Sequence, residues 1–237
     1  MNLVLIRDED WIEGDRRVRL EGRRRRHVLE IHRAQVGDTL RVGRLEGAVG
    51  HGRITRVDER GLEMDVRLDA DPPPPLDITV VLALPRPPVL RRTLISLTSM
   101  GVKRIVLLNA DGVEKSFWQS RALDAEAIFA QCVLGLEQAR DTRMPEVVCR
   151  KRFRPFVEDE IEEWIAGGRA FVAEPAQTST FASSAPGTPV LLAVGPESGW
   201  SAYELARLEK AGLERISLGI RPLRTETALP ALVARLV

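Results

Sequence analysis

The sequence predicts an α/β protein in which a doubly wound parallel sheet follows a small β-barrel. Three observations carry this. The apolar run Val190–Val194 has the length and turn-bounded form of a buried strand, and it passes through Gly195-Pro196-Glu197-Ser198-Gly199-Trp200 into an amphipathic segment that opens at Ser201. From Ile78 onward, short apolar runs alternate with helical patterns, which is the signature of βαβ units and so of parallel strands. Before Pro72 the rhythm is different, with short β-like runs parted by glycines, as in a small closed barrel.

In chain order, the barrel region holds the runs Leu3–Ile6, Thr39–Val42, His51–Val57 and Leu62–Leu68. Between the first two, Arg23–Arg33 reads as a short helix with Val28, Leu29 and Ile31 as its apolar anchors and a basic opposite face. From Arg16 to Arg33, eight arginines stand against Glu21 and Glu30. Phosphate contacts need that density of fixed charge, although a solvated face has the same look in sequence. Pro72-Pro73-Pro74-Pro75 continues neither a ladder nor a helix, so the boundary falls there and gives regions 1–71 and 76–237.

Past the prolines, Ile78–Leu84 is a strand, Val89–Met100 a helix stopped by Gly101, and Arg104–Leu108 a strand. Arg121–Ala139 is expected as a helix, Glu146–Cys149 as a strand, Phe156–Ala166 as a helix and Arg169–Ala173 as a strand. Arg215–Leu218 and a closing helix Thr225–Val237 complete the alternation. In such a sheet ligands bind beyond the carboxyl ends of the strands, and Glu174-Pro175, Gly195 and Gly219 all fall at such ends.

Two loops concentrate the chemistry. Gly195 and Gly199 are expected to allow positive φ and close approach of a ligand, and Ser201 with Glu204 forms a capping box at the start of the next helix. The second loop, Leu218-Gly219-Ile220-Arg221-Pro222-Leu223-Arg224-Thr225-Glu226-Thr227-Ala228, repeats the strand, glycine, helix arrangement, so two adjacent strand ends make one pocket.

Together, Gly-Pro-Glu-x-Gly and Leu-Gly-x-Arg-x-Leu-Arg-Thr-Glu-Thr-Ala resemble the signature of the small-subunit (16S) ribosomal RNA uridine-N3 methyltransferase family, within the SPOUT superfamily. The resemblance extends to Ala83-Leu84-Pro85-Arg86 and Leu136-Glu137-Gln138-Ala139, and loosely to His27–Asp38. It implies a PUA-like RNA-binding barrel, a C-terminal trefoil knot that builds an S-adenosylmethionine pocket, and a homodimer formed through the knotted domain. The implied cofactor contacts are Glu174, Pro175, Val194, Gly195, Pro196, Glu197, Gly199, Leu218, Gly219, Leu223, Thr225, Thr227 and Ala228. The candidate RNA contacts are Arg23, Arg24, Arg25 and Arg26, on their local charge surplus, with Arg33 and Arg86, and the implied partner is the 16S RNA of the 30S subunit. Ser198 departs from the family's usual glycine, where a positive φ would strain it; Pro222, Ser96 and Ser99 depart as well.

Methylation at uracil N3 requires an aligned donor and acceptor and the loss of one proton. Arg224 is the candidate for stabilising the uracil anion. Glu226 is the candidate base, with service to the N-terminal dipole of its helix as the alternative. Arg221 is placed to hold Glu197 or a phosphate, and Trp200 to pack. A ribose or other-base methylase, a non-catalytic RNA-binding knot protein and a small-nucleotide binder remain open as alternatives.

Composition sets outer limits. No apolar run approaches membrane-spanning length and no signal-peptide pattern begins the chain, so a cytoplasmic protein without membrane association is expected. Cys132 and Cys149 form no Cys-x-x-Cys pair, and His27, His32 and His51 lack ligand spacing, so neither metal nor disulfide is expected. The net charge of +1 leaves any RNA contact to local patches.

Overall fold

The computed structural model describes residues 2–176 and 187–237. They form two compact units, one running to Pro74 and including Val133–Met144, the other Pro75–Cys132 with Pro145–Val237. The sequence reading placed 133–144 in the second region, whereas its packing is with the first.

The first unit contains β1 (Val4–Ile6), β2 (Trp11–Glu13), β3 (Arg17–Leu20), α1 (Gly22–Arg26), β4 (Thr39–Arg44), β5 (Val49–Val57) and β6 (Leu62–Ala70). Its strands make a curled mixed sheet in the order β1-β4-β5-β6-β3-β2, with β1 and β4 parallel and the other neighbours antiparallel. Alternation places Ile6, Val18, Leu20, Val42, Ile54, Leu62 and Met64 in one core.

The sequence reading missed β2 and β3, because Arg17-Val18-Arg19-Leu20 is half charge. Val18 and Leu20 point into the core, and the arginines of the opposite face meet acids brought alongside by β6 and the turn before it. Arg17 Nε donates to Asp65 Oδ1 at 2.9 Å, and Arg19 donates to Glu63 Oε1 at 2.8 Å and Asp58 Oδ1 at 2.9 Å. A second correction concerns Ile31, which is 68% exposed rather than an anchor. After α1 the chain widens into a π turn, His27–Ile31, closed by His32 N donating to His27 O at 3.3 Å, and this takes Ile31 off the helical repeat that would have buried it.

Asp58 is a hub of this unit. The Arg19 guanidinium, followed by the N–H groups of Gly61 and Arg60, holds its carboxyl well below the usual carboxylate range. A depressed carboxylate contributes stability above its unfolded pKa and loses it as pH falls through the folded value. Asp58→Asn is therefore expected to lower Tm at neutral pH and to converge on wild type as pH is taken from about 5 toward about 1. Thermal melts across that range are the check, and a gap that stays constant would remove charge from the account.

The second unit contains β7 (Leu76–Ala83), α2 (Pro87–Ser99), β8 (Val102–Leu108), the part of α3 (Ala125–Ala139) up to Cys132, β9 (Glu146–Arg150), α4 (Phe153–Pro155), α5 (Ile161–Ile165), β10 (Arg169–Ala173), β11 (Val190–Val194), α6 (Ala202–Lys210), β12 (Glu214–Ile216) and α7 (Thr225–Leu236). A π turn, Phe156–Glu160, joins α4 to α5. Among the described residues the sheet has six strands in the order β12-β10-β11-β7-β8-β9, every neighbouring pair parallel. The central strands are buried on both faces, as parallel strands between helices must be.

Local chemistry sets the helix ends. Pro87 and Pro88 open α2, where a missing N–H costs nothing and φ is already helical, and Gly101 at φ +94° closes it. The helix expected from Arg121 begins at Ala125, because Ser120 Oγ accepts from Ala122 N and caps a separate short turn, Arg121–Leu123. No helix among the described residues is long and apolar enough to cross a membrane.

Candidate active site

The carboxyl ends of β10, β11 and β12 are neighbours, and the loops that leave them surround one cavity with about 720 Å³ of space, part of it open to solvent. Glu174 and Pro175 come from the first loop, Val194 to Glu197 and Gly199 from the second, and Leu218, Gly219, Arg221, Pro222 and Leu223 from the third. The start of α7 closes it with Thr225, Ala228 and Leu232.

Of the residues expected at the cofactor, Thr227 alone lies outside this lining. The helical repeat explains it. Thr225, Ala228 and Leu232 fall on one face of α7, while Thr227 is turned roughly 200° from Thr225 and is exposed. The same repeat, run forward from Ala228, leads to Leu232, which the sequence reading overlooked.

Ser217 was also missed. Its hydroxyl accepts from Ala176 N and from Gly219 N, both at 3.0 Å, and so ties the loop after β10 to the loop after β12. Glu174 Oε2 is buried without a hydrogen bond, although Arg215 Nη1 stands 3.4 Å away.

The glycines serve different ends. Gly219 has φ +106° and open space where a Cβ would project, and Gly199 has φ +81°. Gly195, expected at positive φ, does not adopt it. Trp200 packs closely over its bare Cα, and Trp200 Nε1 would stand 3.1 Å from a Cβ there. Trp200 is buried and packs on Phe153 with ring centroids 6.1 Å apart. Ser198 does not take the positive φ that would strain it, and it lies over Gly112, where a Cβ would overlap the serine hydroxyl and stand 2.8 Å from Pro196 Cγ.

The capping box forms and extends further than its motif. Glu204 Oε2 accepts from Ser201 N at 2.9 Å, while Oε1 accepts from Asp111 N at 2.7 Å across to the loop after β8. Ser201 Oγ donates to Asp111 Oδ2 at 2.6 Å. At 1% exposure Glu204 is a buried carboxylate satisfied by backbone N–H groups at the positive end of α6.

Arg224 is the N-cap residue of α7 and is exposed beside the cavity without lining it. Glu226, in the first turn, accepts from Arg92 Nη2 at 3.0 Å, a partner on α2 that no motif pointed to. Pro230 removes the intrahelical donor to the Glu226 carbonyl. Glu197 pairs with Arg86 at 3.8 Å, not with Arg221, so Arg86 sits at the cavity's loop.

The arginine run is largely consumed by the fold. Arg24 donates to both carboxylate oxygens of buried Asp10, one at 2.6 Å, and to Leu5 O at 3.0 Å. Arg25 Nη2 donates to Asp58 O at 2.6 Å, and Arg23 Nη2 to Glu137 Oε2 at 3.1 Å. Burial pushes the Glu137 carboxyl up, against the pull of Arg23. Arg24 and Arg25 are thus held by partners within the fold. Arg26 and Arg33 remain exposed.

The pattern of the RNA methyltransferase domain matches residues 72–237. The protein named ribosomal RNA small subunit methyltransferase E of Treponema pallidum is 28% identical, over 99% of this chain and 90% of its own length. The fold is similar to that of the ribosomal RNA small subunit methyltransferase E of Neisseria gonorrhoeae, solved with S-adenosyl methionine bound, at a TM-score of 0.75 and 21% identity over 99% of this chain and 95% of that one. It is also similar to a probable rRNA-methyltransferase from Porphyromonas gingivalis, at a TM-score of 0.73 and 22% identity over 99% and 95% of the two chains. With that pattern spanning most of the sequence, and the parallel sheet and its cavity lying wholly within it, the chain belongs to the RNA methyltransferase domain family.

Proposed function

We propose that the protein transfers a methyl group from S-adenosylmethionine to N3 of a uridine in 16S ribosomal RNA of the small subunit. The observation that carries this is the cavity shared by three adjacent parallel strand ends, edged by the Arg-x-Leu-Arg-Thr-Glu-Thr-Ala motif. The Treponema relative's name supports the substrate, and the Neisseria structure's bound ligand supports the cofactor. In the same reading the curled sheet is a PUA-like barrel, the C-terminal helix is part of a trefoil knot, the enzyme works in the cytoplasm, and the knotted domain pairs two copies.

The cavity fits the cofactor on its own chemistry. Val194, Ile216, Leu218, Leu223 and Leu232 give it apolar walls, Gly219 offers bare backbone, and Glu174 places a carboxyl group on the lining. When bound, the cofactor supplies an electrophilic methyl on a sulfonium. The chain's own part is to align the uracil, exclude water and stabilise the charge left when N3 loses its proton. Arg224 is assigned that last role, since a fixed planar donor beside a uracil carbonyl suits a flat delocalised anion. Glu226, occupied by Arg92, is assigned to the positive end of α7 rather than to the base. Arg26, Arg33 and Arg86 are assigned to RNA phosphates.

The test incubates small subunits from a strain lacking the protein with purified enzyme and labelled cofactor, then resolves nucleosides by mass spectrometry. Label is expected on uracil N3, with Arg224→Lys slower by about tenfold because charge survives but alignment does not. Label on ribose, on another base, or only in large-subunit RNA sinks the assignment. Equal rates for the two proteins sink the role given to Arg224.

A further inference from the structure

We infer that the first unit carries a phosphate pocket of its own, in which Arg41, Arg140 and His32 hold one backbone phosphate of the RNA. This rests on the reading of the protein as an RNA-modifying enzyme and goes beyond it by assigning a docking site away from the arginine run. The three residues line a second cavity whose remaining lining is neutral, Asn2 and Thr39 with three aliphatic side chains. No carboxylate lines it.

The contrast with the arginine run decides the choice. Arg17, Arg19, Arg23 and Arg24 each face an acid, whereas among the described residues neither Arg41 nor Arg140 has an ion pair. An unpaired guanidinium keeps its bidentate fork available, and that fork matches two phosphate oxygens.

Two further observations bear on the same spot. Arg140 has φ +60° and Arg33, next to His32, has φ +52°, a left-handed conformation that costs a non-glycine residue about 1 kcal/mol or more. Glycine would sit at either place without strain. On the sheet, Arg41 of β4 lies opposite His51 of β5, which lies opposite Arg67 of β6, so a row of basic side chains crosses three strands on the exposed face. A polyanion following that row would have its phosphate at the pocket and would run toward Arg67, which pairs with Asp69 at 3.2 Å.

The experiment compares full-length wild type with the double variant Arg41→Gln, Arg140→Gly, binding a 16S ribosomal RNA fragment across a range of salt. Glycine relieves the backbone at 140, so the variant is expected to keep its Tm. Affinity should fall by about tenfold or more. The slope of log affinity against log salt should become shallower by about 0.7 to 0.9, one phosphate's worth. Affinity for S-adenosylmethionine should not move. The double variant Arg41→Lys, Arg140→Lys should restore the slope while recovering only part of the affinity.

Wild-type slope and affinity in the glutamine–glycine variant would overturn the pocket and leave the enzyme reading intact. Loss of slope in both double variants together with lowered Tm would also overturn it, because a folding defect then accounts for the loss. Wild type that binds no RNA at any salt would overturn the enzyme reading and the pocket with it.

Discussion

Glu204→Ala is expected to lower stability by about 1 to 3 kcal/mol, since it removes a buried acceptor shared by the N–H groups of Ser201 and Asp111, which lie near enough to the surface for water to replace part of the loss. The same change should weaken cofactor binding, although Glu204 lines no part of the cavity. Its two bonds fix the exit of the Gly195–Gly199 loop against the loop after β8, and without them that wall of the cavity loses its support. Glu204→Gln keeps one carbonyl acceptor and should fall between wild type and alanine in both readouts. Denaturant melts and calorimetry with S-adenosylmethionine measure the pair. Alanine binding the cofactor as wild type does, at a temperature where it is folded, would separate the carboxylate from the site.

Arg24→Gln is expected to cost about 3 to 5 kcal/mol, the penalty of leaving a buried carboxylate without its cation. Asp10 is buried and Arg24, only 13% exposed on its side chain, spans it with two bonds. Arg26→Gln and Arg33→Gln, which have no ion-pair partner among the described residues, should stay within about 0.5 kcal/mol of wild type. Equal, small effects from all three would return Arg24 to the surface. Replacing Arg23 to Arg26 together is therefore a poor probe of RNA binding, because it also removes the bonds that Arg24 and Arg25 make within the fold.

The contrast shows which parts of the molecule a sequence can display. The loops at Gly195 and Gly219 were legible because glycine, proline and a capping box act within a few residues, and the cavity follows once both loops leave adjacent parallel strands. The apolar runs of the central strands were legible for the same reason. The fate of the arginines was not. Arg23 meets Glu137 from 114 positions away, Arg19 meets Asp58 from 39, and Arg92 meets Glu226 from 134, so a local charge surplus says nothing about what folding sets against it. β3 was hidden by the same arginines, and Gly195 was assigned to the wrong cause because Trp200, five residues on, turns back over it.

The loop between β11 and α6 is gripped on every side by groups that line no cavity. Trp200 covers Gly195, Gly112 admits Pro196 and Ser198, and Asp111 and Glu204 hold Ser201. Ordering a loop residue at the moment of binding costs on the order of 1 to 2 kcal/mol of conformational entropy, and here that loss is taken during folding. A ligand meeting this wall finds it already in shape, so the contact energy of the loop is available for affinity instead of being spent on immobilising the chain.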